Sequence, residues 1–173
     1  MLKNTERMKF LEKDLEQIIF ETPVDVLHKR GLFLGKKTKR QVRLGNYGIA
    51  DLISVDYSSH DESVWGDNKI IFTVCELKQD TISVSAFLQA IRYAKGLQRY
   101  LKEKKPSIWF RHQIRIVLIG KTMPNDSSLI YLPDFMDMIH SLYCSLEIYT
   151  YDMDIDGLKF KKHDGYKLLN EGF

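Results

Sequence analysis

The sequence predicts an α/β fold, a central sheet flanked by helices, on three observations. Segments with helical spacing alternate with strand-like runs in the order α, three strands, α, strand, α, strand. Residues 69–79 read as a buried strand, and residues 113–120 (QIRIVLIG) are nearly all apolar in their second half. The longest periodic segment, 83–105, sets Ala86, Ala90, Ala94, Leu97 and Leu101 on one helical face, where small alanines let a helix lie close to a sheet. No internal repeat, low-complexity tract or linker interrupts the chain, so residues 1–173 are predicted to form a single domain.

Residues 6–21 carry Met8, Leu11, Leu15, Ile18 and Ile19 at helical spacing. Thr22-Pro23 ends that helix, because proline cannot continue the hydrogen-bond ladder. Residues 25–29 predict a short helical turn before Gly31. Residues 40–44 form a short alternating strand, and Gly45-Asn46-Tyr47-Gly48 a turn. In the second strand, 49–57, Ile49, Leu52 and Val55 are broken by Asp51, Ser54 and Asp56. Polar residues 58–68 read as a loop before the third strand. Pro106 stops the long helix, and Asn125-Asp126 supplies a cap or turn after the fourth strand. Residues 133–142 predict another packed helix with Pro133 at its first position. Residues 146–151 are a fifth strand, and Asp156-Gly157 signals a hairpin into a return strand at 158–161.

A chain of 173 residues can bury a core without disulfides or a structural metal. Its 44% hydrophobic and 28% charged residues fit an ordered globular protein rather than a disordered one. A net charge of +3 permits a nucleic-acid partner without requiring one. Cys75 and Cys144 lie in no CxxC pair and have no His at zinc-ligand spacing, so both read as reduced core residues. The N-terminus is polar and charged through Lys9, and no apolar run approaches the ~20 residues that cross a bilayer. The expectation is a cytoplasmic protein with no membrane partner. No GxSxG, Walker loop or HExxH occurs, and the five histidines form no metal-spaced pair.

The chemistry concentrates around Glu76-Leu77-Lys78, at the exit of the third strand. Side chains alternate along a strand, so Glu76 and Lys78 share a face and Leu77 takes the other. Charges in an apolar strand are costly unless paired or metal-bound. A simple salt bridge at a strand end would satisfy them. Asp51, on the preceding strand, adds a second carboxylate that a hairpin pairing brings toward Glu76. Two such carboxylates repel, and oxygen-only ligands favour Mg²⁺ or Mn²⁺. A nearby lysine then orients water or meets charge developing in a phosphoryl transition state.

Gly48-Ile49-Ala50-Asp51, a polar loop, and an apolar strand ending in Glu76-Leu77-Lys78 together resemble the signature of the PD-(D/E)XK, restriction-endonuclease-like nucleases. The order of elements over about residues 6–120 is similar to that family's αβββαβ core; Ala50 stands where the family name has proline. Gln89 and Tyr93, spaced i, i+4 on one helical face, look like the QxxxY element of the RecB-like and archaeal mismatch-nuclease branches. The resemblance implies a mixed central sheet and a metal-dependent nuclease, with Asp51, Glu76, Lys78, Gln89 and Tyr93 as its site. Metal is expected on Asp51 and Glu76, helped by the Leu77 carbonyl, which stands at the strand end between two site residues, and the resemblance implies a third carboxylate from the first helix. Glu12 and Glu16 are the candidates; projected at 100° per residue, Glu12 lies nearer the apolar stripe and is the expected one.

Two basic groups suit a phosphate backbone: Lys36, Lys37, Lys39, Arg40 and Arg43, and the helical face of Arg92, Lys95, Arg99 and Lys102. Aromatics interleaved with them for base stacking are not evident in the sequence. The partner expected is nucleic acid, DNA before RNA, with a homodimer or a partner protein both compatible. The alternative function is a catalytically silent nuclease-like module for nucleic-acid binding or assembly, which need not bind Mg²⁺.

Overall fold

Leu15, Ile18 and Ile19 give α1 (Glu12–Glu21) its buried side. The helix is closed at its start by Asp14, whose carboxylate accepts the Leu11 N–H at 2.8 Å, and at its end by Thr22-Pro23. The computed structural model describes residues 10–58, 69–123 and 132–163, so the expectations for residues 6–9 (with Met8), most of the 58–68 loop and Asn125-Asp126 lie outside the described residues. A one-and-a-half-turn helix, α2 (Val24–Lys29), follows where a helical turn was expected.

β1 (Lys37–Arg43), β2 (Ile49–Ser58) and β3 (Lys69–Leu77) form an antiparallel meander, with a one-turn 3-10 helix at Gly45–Tyr47 between the first two. α3 (Val84–Lys104) then crosses to β4 (His112–Gly120), which pairs parallel to β3. α5 (Leu132–Ser141) crosses to β5 (Cys144–Asp154), parallel to β4, and β6 (Gly157–His163) returns antiparallel. The result is a mixed six-stranded sheet in the order β1-β2-β3-β4-β5-β6. Proline at 106 ends α3 as expected, and also opens a single further turn, α4 (Pro106–Trp109).

Parallel neighbours need crossovers, and crossovers of one hand running in one direction along a sheet fall on one face. α3 and α5 accordingly share a core, where the Phe87 and Phe135 rings stack at 5.0 Å. The predicted stripe of Ala86, Ala90, Ala94, Leu97 and Leu101 is wholly buried there. The other face belongs to α1 and α2, with Leu15, Ile19 and Leu27 over Leu52, Leu77, Val117 and Tyr149. β1 begins at Lys37 rather than residue 40, because its alternating lysines make a polar edge strand that reads as loop. β5 runs on to Asp154 rather than 151, because Asp152 and Asp154 continue as a ribbon paired with Lys159 and Gly157. Among the described residues, no helix is long and apolar enough to cross a membrane.

Candidate active site

The register of β2 and β3 pairs Ile53 with Val74 and Leu52 with Cys75, so one further step sets Asp51 opposite Glu76. There the ladder opens. Lys78 N–H bonds to Ile119 on β4, which turns the neighbouring Leu77 N–H toward β2. Asp51 Oδ2 accepts that N–H at 2.8 Å, in place of a backbone carbonyl. Within one extended residue N–H and C=O point to the same edge, so the Leu77 carbonyl also faces the β2 side.

Glu76 is 3% exposed, and its Oε1 accepts from Lys78 Nζ at 2.6 Å. Lys78 Nζ also lies 3.8 Å from Glu12 Oε1. One ammonium thus answers Asp51, Glu76 and Glu12. The imbalance appears in their proton affinities. Burial above all, with the Asp51 and Glu12 charges adding to it, pushes the Glu76 carboxyl up to about 7 despite the bond from Lys78. Burial likewise raises Asp51, opposed by the Leu77 N–H and Lys78 and reinforced by Glu12 and Glu16. Burial disfavours the Lys78 charge, but its bond to Glu76 and the three carboxylates outweigh that and hold the ammonium above its ordinary range.

The first helix sets its two candidate acids in different surroundings. Glu12 opens α1 at its N-terminus, and its side chain is 43% exposed where it reaches Lys78. Glu16, one turn on and beside Leu15, is the buried one at 5%. It accepts from Arg40 Nε at 2.5 Å and from the Gln41 amide. The 100° projection missed this because it ignores the partners that β1 supplies: Arg40 makes burial of a carboxylate tolerable. Arg40, counted among cations for a phosphate backbone, is committed to Glu16 and also stacks 5.5 Å over Phe20.

Gln41 is a participant that sequence reasoning did not single out. It is absent from the bridged pairs of β1 and β2, between Arg40↔Leu52 and Val42↔Ala50, with φ of +48°. Its amide spans Glu16 and Asp51, the latter at 3.5 Å. Nothing in a lone glutamine on a basic strand signals that role, whereas the buried Glu16 was legible as one of two candidates.

Tyr93 on α3 is buried, and burial followed by the Glu76 and Asp51 charges pushes its phenol up to about 12, so it keeps its proton. Its ring lies over Gly48: a Cβ built there would stand 2.7 Å from Tyr93 Cε1, and φ at Gly48 is +112°. The glycine three residues before Asp51 is therefore required twice, by backbone and by ring. Gln89, one turn before Tyr93, is half-buried. Tyr100, two turns beyond Tyr93, is 48% exposed.

Among the described residues, no group of three or more His, Cys, Asp or Glu side chains closes to metal-ligand spacing, and Glu12 lies 3.8 Å from Lys78. The donors that suit a hard divalent cation are the Asp51 and Glu76 carboxylates and the Leu77 carbonyl. They are oxygen donors throughout, with a buried carboxylate short of positive charge.

No family model matches the chain, and no curated protein does. Among solved structures, 85% of this chain aligns with 48% of the chain in the EndoMS-dsDNA2 complex, at 16% identity and a TM-score of 0.45. Another 16% identical structure, Pyrococcus furiosus SfsA in complex with Ca²⁺, aligns over 87% of this chain and 62% of its own, with a TM-score of 0.42. The chain thus spans about half the length of the first and less than two thirds of the second.

Proposed function

We propose that this chain is a metal-dependent nuclease that hydrolyses phosphodiester bonds of nucleic acid, DNA in the first instance. The observation that supports this reading is the meeting of Asp51, Glu76 and Lys78 at the open end of the β2–β3 ladder, with more carboxylate than ammonium charge. Mg²⁺ or Mn²⁺ would be held by Asp51, Glu76 and the Leu77 carbonyl, with Glu12 at the margin. Such a cation supplies Lewis acidity and lowers the pKa of water.

The chain's own residues do the rest. Lys78 is held as an ammonium, so it donates: it orients the attacking water and meets negative charge as the P–O ester bond breaks. Glu12 and Glu76 fix where that ammonium sits. Tyr93 keeps its phenolic proton and closes the site against α3, and Gln89 is offered to substrate one turn away. Cys75 and Cys144 are both buried free thiols, which suits a reducing, cytoplasmic setting.

A second reading has its own support. Each carboxylate already has an internal partner, Leu77 N–H or Lys78, as a catalytically silent nucleic-acid-binding or assembly module would have. A cleavage panel separates the two. Supercoiled plasmid, duplex and single-stranded oligonucleotides are incubated with Mg²⁺, with Mn²⁺ and with EDTA. The nuclease reading expects cleavage with a divalent cation and none with EDTA. Binding of DNA with no cleavage under any cation favours the module.

A further inference from the structure

One groove among the described residues lies away from the carboxylates. It has a volume of about 840 Å³ and opens between the β1–β3 part of the sheet and the second half of α3. Four aromatic side chains line it: Tyr47 from the 3-10 turn, Tyr57 from β2, Phe72 from β3 and Tyr100 from α3. Tyr57 is 62% exposed and Tyr100 48%. Five cations line it as well: Lys37, Lys39 and Arg43 on β1, Arg99 and Lys104 at the helix. Glu103 is the acid among its lining residues, and Arg99 holds it at 2.7 Å. Lys37 and Lys39 are two residues apart on the edge strand, so they stand about 7 Å apart, and Arg43 follows beyond the left-handed Gln41.

Charge and shape together select the occupant. A row of exposed cations attracts a polyanion. Exposed aromatic faces inside a groove attract flat apolar rings. A duplex keeps its base faces stacked on one another, so it can offer this groove a backbone and nothing for the tyrosines. Unpaired nucleotides offer both. The groove also adjoins the proposed site: Tyr47 lines it, while the next residue, Gly48, lies under the Tyr93 ring. Tyr47 in turn packs where Gly96 has no side chain.

We infer that this groove binds a short unpaired stretch of nucleic acid, with bases on Tyr57 and Tyr100 and phosphates along Lys37, Lys39 and Arg43. The inference rests on the nuclease reading and sharpens it: the substrate carries single-stranded nucleotides next to the bond that is cut. The sequence hid this surface because its aromatics come from four separate elements.

The test is fluorescence anisotropy in EDTA, where nothing is cut. Labelled single strand, blunt duplex and duplex with a single-stranded tail are titrated with wild type, with Tyr57→Ala/Tyr100→Ala, and with Lys37→Ala/Lys39→Ala. All four side chains are exposed or half-exposed, so the variants keep the fold, which circular dichroism checks. Wild type is expected to bind single strand and tailed duplex at least tenfold tighter than blunt duplex. The tyrosine pair should lose at least tenfold toward single strand and almost nothing toward blunt duplex. The lysine pair should lose affinity and flatten its dependence on salt. Unchanged single-strand affinity in the tyrosine pair overturns the inference. So does a wild-type dimer by light scattering that the tyrosine pair breaks, or displacement of single strand by an acidic peptide but not by unlabelled DNA. Because binding is read without cleavage, a chain that binds single strands and never cuts them leaves the groove standing and sinks the nuclease reading.

Discussion

At Asp51 the protein keeps a carboxylate where burial, Glu12 and Glu16 all work against its charge, with the Leu77 N–H and Lys78 opposing them. Such a carboxylate suits the cation proposed for this site. Asp51→Asn removes the charge and keeps an oxygen to accept the Leu77 N–H at the same place. In the absence of divalent cations we expect Asn to stabilise the fold by about 1 kcal/mol, raising Tm by about 2–4 °C. A thermal melt in EDTA at neutral pH checks it. A fall in Tm would mean that Asp51 is a structural N-terminal anchor of the open ladder and no more. Asp51 was legible in the sequence because an acid in an apolar alternation stands out. Gln41, which touches the same carboxylate, was not, because its part depends on a left-handed backbone at φ +48° that no local pattern announces.

Elements meet at the site through a close approach as well as through long side chains. Tyr93 brings α3 against the start of β2 by lying on Gly48. Gly48→Ala faces a positive φ and a ring at 2.7 Å together, and we expect it to cost about 2–4 kcal/mol, seen as an earlier urea midpoint. Gly48→Ala/Tyr93→Ala should recover the ring's share and not the backbone's. A single Gly48→Ala variant with the wild-type midpoint would show that Tyr93 is not seated there. The alanine stripe of α3, the β3 and β4 strands and the hairpin at Gly157 were all legible, since burial writes a period into the sequence. The edges were less so. β1 and the far end of β5 are polar ribbons whose partners, not their own residues, make them strands. Helix α1 was legible, and Glu12 does reach Lys78, but the burial of Glu16 was not legible: it rests on a bond to Arg40, and an ion pair across two elements has no period to read.

Across the whole molecule the sheet is tied laterally by Glu147. This β5 carboxylate takes Lys162 of β6 at 2.8 Å and Tyr149 at 2.8 Å, and lies 3.6 Å from Arg115 of β4, which donates in turn to Thr73 of β3. Burial pushes Glu147 up, but the bonds from Lys162 and Tyr149 and the Arg115 charge outweigh it and leave the group below its usual 4.5. A depressed carboxyl stabilises the fold above the unfolded value and loses that contribution as pH falls through the folded one. Tm of the wild type should therefore drop between about pH 5 and pH 3, and Glu147→Gln should flatten that limb while costing about 1–3 kcal/mol at pH 7. An acid limb identical in the two proteins would remove Glu147 from the account. The sheet, its two helical layers and the ladder that opens at Leu77 serve one end: holding two carboxylates and one ammonium together. That claim is tested most directly by a single mutant series, assayed in parallel for Mn²⁺ binding by calorimetry and for oligonucleotide cleavage. Asp51→Ala and Glu76→Ala should lose both, whereas Lys78→Ala should lose cleavage and keep or tighten the metal, since an ammonium is no ligand and its charge repels a cation. Cleavage by all three variants at the wild-type rate would contradict it.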